Sequence, residues 1–264
     1  MVRMIASDID GTLLKNGRKE LPPRLFPLIR QLREQGIVFC AASGRQYSSL
    51  RRLFKPVADE IYYICENGAV VFGDGPKPAV LGKTVMDRSL AEQLIREIVS
   101  REDCEVLISG ENTSYLMPKK QEIVTEIRDF IGNNVSFITK EGEVPEPIIK
   151  VSAFCTPDTT LPEKELAPKW RNYFSGAVAG KQWLDFTLAD KGKGISALCS
   201  ALKIPLHEVM AFGDNYNDIP MLQKVGYPIL MESAHPDSKA KVTTHCIDVP
   251  EYICEKFFPN IETE

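Results

Sequence analysis

The hydrophobic pattern changes character along the chain. Near the N-terminus, short apolar β-branched runs alternate with 3.6-residue periodic stretches: a strand over Val2 to Ile9, a helix over Leu25 to Gln35 and a strand over Ile37 to Ala41. That β-α-β rhythm predicts a parallel sheet. In the helix, Leu25, Leu28, Ile29 and Leu32 fall on one face, and Gly36 stands where a left-handed C-terminal cap is wanted. The run IVFCAA is apolar on both faces, as a central parallel strand should be. The C-terminal part repeats the rhythm: a helix from Gly194 to Leu202, the strand VMAFG, a helix from Ile219 to Lys224 and shorter alternations to the end. Both ends of the chain are expected in one sheet.

Between them the alternation breaks. After the hairpin-like NGAVVFGDGPKPAVLGK, a helix is expected to open at Ser89, with Glu92 at capping-box spacing. Strand patterns at CEVLIS, TSYLM, VSFIT, IIKVSAF and WLDFTLA are interleaved with helical stretches at Gln121 to Ile131 and Glu163 to Tyr173. The expected fold is α/β: a Rossmann-like parallel-sheet core built from residues 1–82 and 188–264, with an α+β cap domain, residues 83–187, inserted through two linkers.

Composition leaves this picture unchanged but narrows the class. The 264 residues are 44% hydrophobic and 26% charged, enough for a substantial core. A net charge of -4 offers no basic surface, so neither nucleic acid nor a membrane is expected as a partner. The seven cysteines include no CxxC pair, and several sit in apolar runs, so buried reduced thiols are expected, not a disulfide framework or zinc site. MVRMIASDIDG runs into acids too soon for a signal peptide, and no window has the ~18 apolar residues of a membrane span. A cytoplasmic location is therefore expected.

The chemistry gathers at strand ends. In IASDIDGTLL, Asp8 and Asp10 stand where an apolar strand stops and Gly11 permits a turn. Ligands of open α/β sheets bind at that edge. Two carboxylates two residues apart in extended chain face the same way, which suits a metal site or a nucleophile beside a general acid; a polar turn with an acidic cap is the plainer reading. In CAASGRQ a buried strand ends in Ser43, Gly44 and Arg45, able to hold a phosphate dianion, though a serine helix cap has the same appearance. TLADKGKGISAL offers Lys191 and Lys193 before a helix, where most lysines are merely solvated. VMAFGDNYNDIPML ends another strand in Asp214, then supplies Asn215, Asn217 and Asp218 at a helix start: oxygen donors suited to magnesium, or Asx caps. Independent helix caps do not explain one sheet edge supplying carboxylates, a hydroxyl, a lysine and more carboxylates in turn.

With those segments in place the sequence resembles the haloacid dehalogenase-like superfamily. Its four motifs correspond to DIDGTLL from Asp8, to Ser43, to Lys193 and to GDNYND from Gly213. ENGAVV from Glu66 and KGISAL are similar to the Cof-like sugar-phosphatase branch, whose α/β cap lies between the second and third motifs. The resemblance implies a magnesium-dependent phosphatase acting on small phosphorylated metabolites, sugar phosphates or related compounds, through an aspartyl-phosphate. It assigns nucleophilic attack to Asp8 and general acid and base roles to Asp10. It gives magnesium to the Asp8 carboxylate, the Asp10 backbone carbonyl and Asp214, with Asp218 in support. Ser43, Gly44, Lys193 and Asn217 would hold the phosphoryl group, and Arg45 would touch phosphate or leaving group. Gly-x-x-Ala-Leu after Lys193 favours it over Lys191, the alternative. MESAHP departs from the branch pattern, leaving that loop without a role, and His207 and His235 are expected as surface or capping residues. The competing readings are a phosphomutase with the same intermediate and a noncatalytic protein that binds phosphorylated metabolites.

Overall fold

In chain order the strands are Met4–Ser7 (β1), Val38–Ala42 (β2), Tyr62–Cys65 (β3), Val70–Phe72 (β4), Val80–Lys83 (β5), Cys104–Ser109 (β6), Ser114–Leu116 (β7), Val135–Phe137 (β8), Lys150–Cys155 (β9), Ser175–Ala179 (β10), Trp183–Thr187 (β11), Val209–Gly213 (β12), Tyr227–Met231 (β13) and His245–Cys246 (β14). The computed structural model describes residues 1–179 and 181–259, so Gly180 and the end of the expected core segment 188–264 lie outside the described residues. The chain divides into two units, Met1–Arg45 with Leu50–Gly82 and Asp190–Glu264, and Gln46–Ser49 with Lys83–Ala189.

An eight-stranded sheet in the order β14-β13-β12-β1-β2-β3-β4-β5 organises the first unit. The pairs from β14 across to β3 are parallel, and β3 meets β4 antiparallel, the two strands joined by a tight turn. The apolar stripe of the helix Leu25–Glu34 is buried, with Leu25 and Leu32 at 0% exposure. Each such leucine contributes about 1.5–3 kcal/mol by leaving water. Gly36, at φ 76°, ends that helix in the left-handed region. The helix Lys191–Leu202 presses Ile195 and Leu198 into a cluster with Met4, Ala6, Cys40 and Ala42. This packing fixes the carboxyl ends of β12, β1, β2 and β3 side by side.

The second unit carries a six-stranded sheet, β10-β11-β9-β6-β7-β8, antiparallel except for β7 with β8. The helix Arg88–Val99 and the helix Thr160–Trp170 bury Leu94, Ile95, Ile98, Leu166 and Trp170 against Val106, Ile108, Val151 and Ala153.

Several local expectations are corrected. The helix expected at Ser89 is capped two residues earlier by Asp87, whose side chain accepts from the Leu90 N–H; a carboxylate beside the first free amides takes the place of the Ser89 box. The stretch Gln121 to Ile131 is α-helical only to Val124, then continues in wider π-type turns over Thr125–Ile131. β10 has no counterpart in the pattern, because its exposed residues SGAVA do not alternate. Among the described residues no helix is long and apolar enough to cross a membrane. All seven cysteines are free and buried.

Candidate active site

Asp8 follows β1 directly and keeps the ladder for one more step, its N–H donating to the Phe212 carbonyl at 3.0 Å. The chain then turns at Gly11, whose φ of 95° puts it in the left-handed region, and a methyl group there would stand 2.1 Å from Asp214 Oδ2. Glycine is therefore required twice over, by conformation and by the closeness of that carboxylate. Thr12, fully buried, donates its hydroxyl to Asp214 Oδ1 at 3.2 Å.

The centre of the site is Lys191, which is 0% exposed. Its Nζ donates to Asp8 Oδ1 at 2.5 Å and to Asp218 Oδ1 at 2.6 Å. Asp218 Oδ2 accepts the N–H groups of Asp214 and Asn215 at 2.9 and 3.0 Å, so both its oxygens are committed to holding the lysine and the turn. The structure thus brings Lys191 to the acidic cluster, and the expected Lys193 is exposed. A residue two positions further along an α-helix is rotated by about 200°, so the helix cannot present both lysines to one point. Lys191 occupies the first turn with its stem inward, and Asp190 caps that turn by accepting from the Lys193 N–H at 2.8 Å.

The carboxylates of Asp8, Asp214 and Asp218 offer oxygens that lie within 4.8 Å of one another. Burial, followed by the charges of Asp218 and Asp214, pushes the Asp8 carboxyl up to about 8, with Lys191 pulling the other way. Burial also raises Asp214, with Asp218 adding to it. For Lys191, burial works against the charge, but Asp218 and Asp8 outweigh it and hold the ammonium above its ordinary range. One buried cation thus faces three acids. Asp8 Oδ2 is buried with no hydrogen-bond partner among the described residues. A hard divalent cation fits this donor set, which has oxygen ligands, a surplus of negative charge and an unclaimed carboxylate oxygen.

Asp10 is not part of that cluster. Its carboxylate is bound two-handed by Arg45, Nε to Oδ2 at 2.8 Å and Nη2 to Oδ1 at 2.6 Å. Arg45, expected against phosphate or leaving group, is thus placed on the second acid of DxD. Its guanidinium is held above its ordinary range chiefly by that hydrogen bond. Ser43, buried after β2, accepts the Arg45 N–H on its Oγ at 3.2 Å, and Gly44 lies against Asn67. Asn217 is exposed and donates from Nδ2 to Asn67 Oδ1 at 3.1 Å. The Tyr216 hydroxyl meets His235 Nδ1 at 2.9 Å, in the loop that departs from the branch pattern. Thr12 and Asn67 join the site without having been expected there. A polar residue inside the apolar DGTLL run and an asparagine before glycine were the signals available.

A family model described as haloacid dehalogenase-like hydrolase matches residues 5–250 of the chain. The chain is 26% identical over 237 residues to the 5-amino-6-(5-phospho-D-ribitylamino)uracil phosphatase YbjI of Escherichia coli (strain K12), covering 88% of this chain and 86% of that one. Among solved structures it is similar to a protein from Eubacterium rectale, with a TM-score of 0.86 and 28% identity over 97% of this chain and 99% of the other. It shares its fold with a haloacid dehalogenase subclass IIB sugar phosphatase, with a TM-score of 0.78 and 22% identity over 97% of this chain and 99% of that one.

Proposed function

The chain belongs to the haloacid dehalogenase-like hydrolase family, as a phosphoric monoester hydrolase of its Cof-like branch, and on that premise we propose that it hydrolyses small phosphorylated metabolites in the cytoplasm through an aspartyl-phosphate on Asp8. The observation that carries this reading is Asp8 itself: one oxygen fixed by Lys191, the other buried without a partner among the described residues. A nucleophile needs one oxygen held and one available.

Asp8 Oδ2 would attack phosphorus, forming an O–P bond as the bond from phosphorus to the ester oxygen breaks. Asp10, once freed from the two-handed Arg45 clamp and protonated, would give its proton to the departing alcohol. In the second half, water attacks phosphorus, Asp10 takes the proton from it, and the Asp8–phosphorus bond breaks to release inorganic phosphate. Magnesium, held by the Asp8 and Asp214 carboxylates and the Asp10 backbone carbonyl, would neutralise charge developing on the phosphoryl oxygens. Lys191 would serve the same end, while Ser43, the Gly44 backbone and Asn217 bind the remaining oxygens. Asp218 anchors Lys191. The relative YbjI is named for a phosphorylated ribityl compound, which supports phosphorylated sugars and polyols as the first class to try. The second unit, Lys83–Ala189 with Gln46–Ser49, is assigned substrate selection.

The test is a panel of phosphorylated metabolites scored by phosphate release with magnesium and again after chelation. Release that depends on magnesium is expected. Isomerised phosphate ester without free phosphate would favour a phosphomutase, and binding without turnover would favour a noncatalytic protein.

Asp10→Asn is expected to slow turnover by about 10²–10⁴-fold on esters of poorly acidic alcohols, the range of general acid and base catalysis. Esters with good leaving groups should be less affected in the first step and should accumulate phosphoenzyme. Wild-type rates with poor leaving groups would remove Asp10 from both roles.

A further inference from the structure

Directly after β3, Glu66, Asn67 and Gly68 have φ of 50°, 55° and 96°. Three left-handed residues in succession are unfavourable for all but glycine, with asparagine the next most tolerant, and such strain persists only where surrounding contacts enforce it. Here the contacts lead to the hydrolytic centre on three sides. The Glu66 and Asn67 N–H groups donate to the carbonyls of Arg45 and Ser43, at 3.1 and 3.0 Å. A methyl group on Gly68 would stand 2.1 Å from the Asp190 carbonyl, immediately before Lys191. The Asn67 carboxamide covers Gly44, where a β-carbon would come within 3.2 Å of both its oxygen and its nitrogen. The same carboxamide accepts from Asn217 Nδ2 at 3.1 Å.

We propose that Asn67 is a positioning residue of the hydrolytic centre, fixing the Asn217 carboxamide so that an N–H, not a carbonyl oxygen, faces the phosphoryl group. A carboxamide is a donor at one end and an acceptor at the other, and its two orientations have nearly the same shape. Phosphoryl oxygens only accept, so the flipped orientation sets oxygen against an anion. With its Oδ1 turned to Asn217, Asn67 accepts one Nδ2 hydrogen and leaves the second for substrate. The backbone bonds from Glu66 and Asn67 hold the selecting group in register with the Ser43–Gly44–Arg45 loop. The inference rests on the proposed role of Asn217 at the phosphoryl group.

The experiment is a double-mutant cycle of Asn67→Gly and Asn217→Ala in the full chain, measuring kcat/KM on a substrate from the panel and inhibition by inorganic phosphate. Glycine keeps the left-handed backbone and removes only the carboxamide. Asn67→Gly is expected to lower kcat/KM about tenfold and to weaken phosphate inhibition similarly, the scale of one well-made hydrogen bond. In the Asn217→Ala background the same change should have no further effect, because there is no carboxamide left to orient. Equal losses in both backgrounds, the mark of a general structural lesion, would overturn the inference. So would an unaffected Asn67→Gly beside an impaired Asn217→Ala, an outcome that leaves the phosphate role of Asn217 standing. An unaffected Asn217→Ala would instead show that the underlying assignment fails, and the inference with it.

Discussion

Asp8→Asn is expected to abolish phosphate release and to leave no phosphorylated protein after brief reaction with labelled substrate. The carboxamide has nearly the shape of the carboxylate, and its oxygen can still accept from Lys191, which donates to Asp8 Oδ1 in the wild type. What it lacks is the ionised oxygen that attacks. Loss of a covalent nucleophile in enzymes of this kind costs about 10⁴-fold or more. The position is also crowded with negative charge: Asp214 and Asp218 lie within the same cluster. Replacing Asp8 by a neutral group relieves that repulsion, so in metal-free buffer the thermal midpoint should stay level or rise. The two readouts together separate chemistry from folding. A variant that still turns over and still carries label would place the nucleophile elsewhere, whatever its stability.

The parallel core was legible because its strands are short apolar runs set off by glycine turns, and its helices carry a clean stripe, as Leu25, Leu28, Ile29 and Leu32 do. The strand-end positions of Asp8, Ser43 and Asp214 followed from the same punctuation. Spacing alone could not say which of two lysines in KGKG turns inward, since that depends on where the helix begins. Asp190 caps it, so Lys191 takes the inward position. The partner of Arg45 was equally hidden. Asp10 is 35 residues away in the sequence, and only the adjacency of β1 and β2 brings the two together. β10 escaped notice because its small exposed residues carry no periodic signal. Long-range partners and wholly exposed strands leave no trace in hydrophobic pattern, whereas strand ends do.

Lys191→Met should be damaging both to stability and to turnover, and Lys193→Met close to silent. Lys191 is the buried cation between Asp8 and Asp218, at 2.5 and 2.6 Å. Methionine fills much the same volume but leaves those carboxylates and Asp214 facing one another without compensation. Breaking a buried ion pair by removing one partner costs about 3–5 kcal/mol. For a chain of this size that corresponds to a fall of roughly 10 °C in thermal midpoint. The deficit should depend on pH with a definite sign. Burial already raises the Asp8 carboxyl, and losing its counter-cation raises it further. Between the unfolded carboxyl value near about 4 and that raised folded value, the folded variant binds more protons than the unfolded chain, so its stability falls as pH rises. Wild type shares that slope up to its own Asp8 value of about 8, so the gap is expected to stay nearly constant below about pH 8 and to widen above it, and magnesium should narrow it by replacing part of the lost positive charge. Turnover should fall at least about 10²-fold, since a charge that stabilises the transferring phosphoryl group is gone. Lys193 is exposed, and its replacement should lie within about 0.5 kcal/mol of wild type. Thermal melts across pH and steady-state kinetics on both variants decide the matter. If Lys193→Met is the variant that loses activity while Lys191→Met keeps it, the phosphate lysine is Lys193 and the buried pair is a structural feature only.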